Sequence, residues 1–154
     1  MRAIVIGVGN PLLGDDGVGI RVARELSRQV DGRSDVTVTE LYAGGLRLME
    51  AMVGFNRALV VDAMVSGSCL PGTVRCFTPE ELGATRNLRC AHDTSLPAAL
   101  AMGAMLGLAL PGDIRVWGVE AANCEEFGEE LTPAVARAVP GLVEELVRQL
   151  EGTG

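Results

Sequence analysis

Residues 3–19, AIVIGVGNPLLGDDGVG, decide the fold. Ala3-Ile4-Val5-Ile6 is an apolar run that reads as a buried strand. An amphipathic segment follows over 17–30. Val18, Val22, Leu26 and Val30 recur four apart, with Arg21, Arg24, Glu25 and Arg28 on the other side. Five glycines, Asn10, Pro11, Asp15 and Asp16 crowd the turn between strand and helix. Connections of this kind, at the carboxyl ends of parallel strands, are where open α/β sheets build their sites. Turn chemistry accounts for the glycines and Asn10. It does not call for two adjacent aspartates, because like charges repel unless a cation or hydrogen-bond donors compensate.

The turn is not a dinucleotide fingerprint. A G-x-G-x-x-G pattern needs glycine at position 12, which is Leu12. The aspartate pair stands where a pyrophosphate would require bare backbone N–H groups. A loop presenting carboxylates to a metal or a polar substrate is the better reading.

Outward from this stretch, strands and helices alternate. Strands are expected over 2–7, 35–41, 57–62, 73–77 and 113–118, and helices over 17–30, 46–52, 95–106 and 132–150. Pro140 should kink or split the last helix. Residues 1–154 read as one domain, a three-layer α/β sandwich with a mostly parallel, twisted five-stranded sheet and helices on both faces. Right-handed crossovers place the first strand beside the third. The loop carrying Asp16 and the end of the strand carrying Asp62 then meet at a topological switch point.

Composition narrows the function. The net charge of −7 argues against nucleic acid and anionic membrane surfaces as partners. No apolar stretch has membrane-spanning length and the first residues lack a signal-peptide layout, so a cytoplasmic location is expected. Cys69, Cys76, Cys90 and Cys124 form no C-x-x-C pair, which points to free thiols rather than structural zinc.

Taken singly, Asp62 is an ordinary strand-end carboxylate and His92 a lone loop histidine before a capped helix. Taken together with Asp16, they fall on connections directed to one end of the sheet. One imidazole and two carboxylates suit nickel, zinc, iron or manganese, but form a sparse set for a permanently held ion.

The chain resembles the hydrogenase maturation proteases. The matching residues are Gly7-x-Gly9-Asn10, Gly14-Asp15-Asp16-Gly17-x-Gly19, Val60-Val61-Asp62-Ala63, and His92-Asp93-x-Ser95-Leu96-Pro97. Trp117-Gly118-Val119-Glu120, Leu131-Thr132-Pro133 and Ala138-Val139-Pro140 complete the ordered set. The resemblance implies an aspartic-type endopeptidase that trims the C-terminal extension of a nickel–iron hydrogenase large-subunit precursor after nickel insertion. It also implies that Asp16, Asp62 and His92 contact a nickel carried by the substrate, with Asn10, Asp15, Gly44 and Gly45 beside the bound peptide. Many relatives carry an aspartate where this chain has Ala43, directly before Gly44-Gly45. The catalytic base is therefore open among Asp16, Asp62 and Glu40. Two rival readings stand beside this one: a non-enzymatic nickel-binding maturation or quality-control module, and a zinc-dependent aminopeptidase-like hydrolase.

Overall fold

A computed structural model describes residues 1–42, 44–81 and 95–151. Its sheet is built from β1 (Ala3–Val8), β2 (Val36–Leu41), β3 (Arg57–Met64), β4 (Val74–Phe77) and β5 (Asp113–Glu120). The helices are α1 (Val18–Gln29), α2 (Leu46–Met52), α3 (Leu96–Met105) and α4 (Pro133–Glu151). The strand order is β2-β1-β3-β5-β4, so β1 lies beside β3 as the crossover rule requires. All pairs are parallel except β4 with β5.

Period-two alternation sorts each strand between two cores. Val5, Leu59, Val61 and Trp117 pack with Val18, Val22 and Leu26 of α1 and with Val139, Leu142 and Leu146 of α4. Ile4, Ile6, Val60 and Val116 pack on the opposite face with Leu48 and Met52 of α2 and Leu96 of α3. Both faces of the central strands are covered, which is why β1 and β3 are buried throughout.

Three expectations need correction. β3 does not stop at Asp62 but continues through Ala63 and Met64, paired with Val119 and Glu120. A carboxylate reads as a strand terminator, yet the ladder beyond it is still apolar and still finds partners. β5 extends past Gly118 for the same reason. Pro140 does not split the last helix, which is assigned without interruption from Pro133 to Glu151. Pro140 lies on its exposed side, where the carbonyl that loses its donor can turn to water.

Ser95 caps α3, its side chain accepting from the Ala98 N–H, and Gly107 takes φ +74° just after the helix. At the opposite end of the sheet, Arg57 is buried at the start of β3. It donates to Asp113 at 2.8 Å and to both the main chain and the side chain of Gln149. Sheet and α4 are thereby joined by one guanidinium.

Candidate active site at the carboxyl edge of the sheet

The strand-to-helix turn after β1 closes as a 3₁₀ turn over Gly14–Gly17. It packs against β3 because two glycines let backbone meet backbone. A Cβ on Gly7 would lie 2.1 Å from the Gly19 carbonyl oxygen, and one on Gly19 would lie 2.4 Å from that of Val61. No side chain fits there. The start of α1 is therefore seated directly on the residue before Asp62.

The two adjacent aspartates have separate partners. Asp15 is fully buried and its carboxylate accepts four hydrogen bonds from the 122–132 segment. The N–H groups of Ala122 and Asn123 donate at 2.8 and 3.0 Å, and Thr132 donates through its N–H and its hydroxyl, both at 2.8 Å. The compensation that adjacent like charges require comes here from donors. Asp15 thus braces two loops against each other. Main-chain bonds reinforce it: Gly14 N–H to Gly128 carbonyl, Asp15 N–H to Asn123 carbonyl, and Gly128 N–H to Leu12 carbonyl, at 2.8–2.9 Å.

Asp16 is 2% exposed and accepts from the Asn10 N–H at 3.0 Å. Asn10 also accepts the Leu12 N–H on its side-chain oxygen at 2.9 Å, an Asx turn that shapes the loop. Its role in the structure is to hold Asp16. Asp62 is fully buried and accepts the Ala63 N–H at 2.8 Å. Alternation with Val60 and Met64 puts it on the α2–α3 face of the sheet. Leu96, the first residue of α3, packs into the same core. His92 and Ala43 lie outside the described residues. Among the described residues, no group of three or more His, Cys, Asp or Glu is gathered to hold a metal.

A model of the family described as hydrogenase maturation protease matches residues 20–149 of the chain. The chain belongs to the hydrogenase maturation protease family. It is 28% identical to the hydrogenase 2 maturation protease of Escherichia coli strain K12 over 156 residues, spanning 100% of this chain and 93% of that one. It is 33% identical to protein FrxA of Pyrococcus furiosus over 141 residues, 86% of this chain and 93% of that one. The solved hydrogenase-maturating endopeptidase HybD from E. coli shares the fold, with a TM-score of 0.80 at 23% identity over 100% of this chain and 94% of that one. Open α/β sheets bind their ligands beyond the carboxyl edge, so the face and edge that each side chain occupies bear on its role.

Glu40 lies on the face of the sheet away from Asp62. Val36 and Val38 pack into the α1 core, so Glu40 shares their face, opposite that of Asp62. It is held there by Arg24 of α1, whose Nε and Nη2 donate to its two carboxylate oxygens at 3.2 and 3.0 Å. That pairing raises the Arg24 guanidinium above its ordinary value. Gly45 takes φ +63° and ψ −129°, a conformation reserved for glycine, and its carbonyl accepts the Met49 N–H at 3.1 Å as α2 begins. The tight turn into α2 thus explains Gly45 without reference to a ligand.

Glu120 was not singled out from the sequence. It is 3% exposed at the end of β5, in register with Met64, and so on the Asp62 face. It accepts the hydroxyl and the N–H of Ser66, the latter at 3.1 Å, which fixes the chain leaving β3. The signal was the alternation Val116-x-Gly118-x-Glu120, which continues beyond the glycine taken as the strand end.

Proposed function

We propose that this endopeptidase removes the C-terminal extension of a nickel–iron hydrogenase large-subunit precursor after nickel insertion. Asp16, Asp62 and His92 read the metal that the substrate carries. The observation that supports this reading is the burial of two carboxylates on neighbouring elements at the switch point, Asp16 in the turn after β1 and Asp62 near the carboxyl end of the adjacent β3. Both accept main-chain N–H bonds, which fix the carboxylates in place. Carboxylates so fixed complete the coordination of an arriving cation without reorganising. Binding energy from the metal is then available only with a loaded substrate, which makes metal insertion a condition of cleavage. The substrate's nickel orients the scissile bond and polarises it or a water. With Glu40 turned to the opposite face, Asp16 or Asp62 is the carboxylate that handles the proton. Three ligands with a single imidazole suit transient recognition better than a permanent site.

The test is processing of purified precursor, followed by mass. Nickel-loaded precursor should shorten and metal-free precursor should not. Asp16→Ala and His92→Ala should each slow processing by at least about a hundredfold. Equal processing of loaded and metal-free precursor would overturn the metal reading.

A further inference from the structure

Among the described residues β2 is an edge of the sheet, since the order β2-β1-β3-β5-β4 pairs it on one side only. The carbonyls of Asp35 and Leu41 accept from Ala3 and Gly9 at 2.9 and 3.1 Å. Residues of that phase face β1, so the alternate residues Val36 and Val38 turn their N–H and C=O groups away from the sheet. Among the described residues no main-chain group meets them. Exposed edges are ordinarily blunted by lysine, proline or a bulge. β2, Val-Thr-Val-Thr-Glu-Leu, has none of these, its single charge, Glu40, is taken up by Arg24 of α1, and it runs in unbroken register with β1 over six residues. The other edge, β4, has only four residues, with Arg75 among them.

An open groove of about 820 Å³ lies between β2 and α1, lined by Ser27, Arg28, Val38 and Tyr42 among others. Arg28 and Asp31 of its wall have no ion-pair partner among the described residues and Arg24 pairs with Glu40, so the groove is polar and of balanced charge and suits polar side chains in an occupant. Tyr42, just past the end of β2, is 66% exposed. β2 runs parallel to β1, and its last carbonyl, that of Leu41, holds Gly9 of the loop that carries Asp16. A chain laid along β2 is thus led to the carboxyl edge. A peptidase must hold its substrate extended, and extended backbone finds its complement in an unpaired strand edge.

We propose that β2 is the docking strand for the substrate. The precursor segment next to the cleaved bond adds to the sheet by pairing with Val36 and Val38, and every second side chain enters the α1 groove. This rests on the function proposed above.

The test uses the intact chain, the precursor it cleaves, and synthetic peptides of about eight residues from the cleavage region. Two peptides carry backbone N-methyl groups, one at odd and the other at even positions. An added strand offers only one set of N–H groups to β2. One methylated peptide should therefore bind at least about tenfold more weakly than the unmodified peptide by fluorescence anisotropy, and the other should match it. Equal binding of all three overturns the proposal. Val38→Pro removes one outward N–H, a change edge strands accept. It should raise KM for the precursor at least about fivefold with kcat within about twofold. An unchanged KM in the folded variant overturns the proposal, and the peptide pair decides if the variant does not fold. If the wild-type chain cuts no nickel-loaded precursor, the proposed function falls and the docking strand with it. If cutting is normal but ignores methylation phase and Val38→Pro, the docking strand falls alone. A wild-type dimer in solution that Val38→Pro converts to monomer assigns the edge to a second copy and likewise overturns the proposal.

Discussion

The two edges of the sheet treat buried charge in opposite ways. At the amino edge sits one buried base, Arg57, closed by Asp113 and by two oxygens of Gln149. At the carboxyl edge sit four buried acids, Asp15, Asp16, Asp62 and Glu120, and no buried base among the described residues. Burying a charge is costly unless it is paired or hydrogen-bonded. The amino edge meets that cost with an opposite charge and gains a lock between sheet and helix. At the carboxyl edge, N–H and O–H donors orient the acids. Four acids gathered where the connections converge suit the cation-bearing substrate proposed above.

This contrast can be broken or sharpened by substitution. The largest effect is expected at Asp62. Asp62→Asn should slow precursor processing by at least about a hundredfold while Tm moves by no more than about 3 °C. A large fall in Tm would make Asp62 a structural acid and erase the distinction between the edges.

Asp15→Ala should do the reverse. It leaves three half-buried N–H groups and a hydroxyl without their acceptor, a loss of about 3 kcal/mol, visible in the denaturant midpoint and in a Tm lower by about 10 °C. Its processing defect should follow the unfolded fraction. If Asp15→Ala is as stable as the wild type, the brace between the two loops is misassigned.

Arg57→Leu should cost less, about 2 kcal/mol, because the Asp113 side chain it leaves behind is 45% exposed and water can take over. Processing per folded molecule should be unchanged. A loss of activity at constant stability would mean that the amino edge is felt at the site. The smallest effect belongs to Glu40→Gln, which breaks an exposed pair with Arg24. Stability should stay within about 0.5 kcal/mol and processing at the wild-type rate. A processing defect there would return Glu40 to the list of candidate bases.

Much of the fold was legible because it rests on local pattern. The strand, glycine turn and helix start at 3–19, the all-apolar run before Asp62 and a helix cap at Thr94 or Ser95 each state their structure within a few residues. The meeting of the Asp16 turn with β3 followed from handedness alone. The role of Asp15 was not legible, since its donors are 107 to 117 residues away and three of the four are main-chain N–H groups with no side-chain signature. The facing of Glu40 was written in Val36-x-Val38-x-Glu40, where two apolar residues already choose the helix-covered side. Glu120 was hidden by reading Gly118 as a strand end, although its missing side chain makes room for Phe77 and Met64, at 3.1 and 3.2 Å from a would-be Cβ.

The stitching of the first loop to residues 122–132 also bears on motion. Surface connections commonly fluctuate on nanosecond to microsecond timescales, independently of the elements they join. Here the long acidic connection shares seven hydrogen bonds with the Leu12–Asp15 turn, three between main chains and four to the Asp15 carboxylate. Neither partner can swing without the other. The two behave as one cooperative unit whose opening is a local unfolding event, rare and slow beside loop breathing. Entry to this edge of the sheet is therefore not timed by a flap made of residues 122–132, and an arriving substrate meets this stretch of the rim already in its final shape.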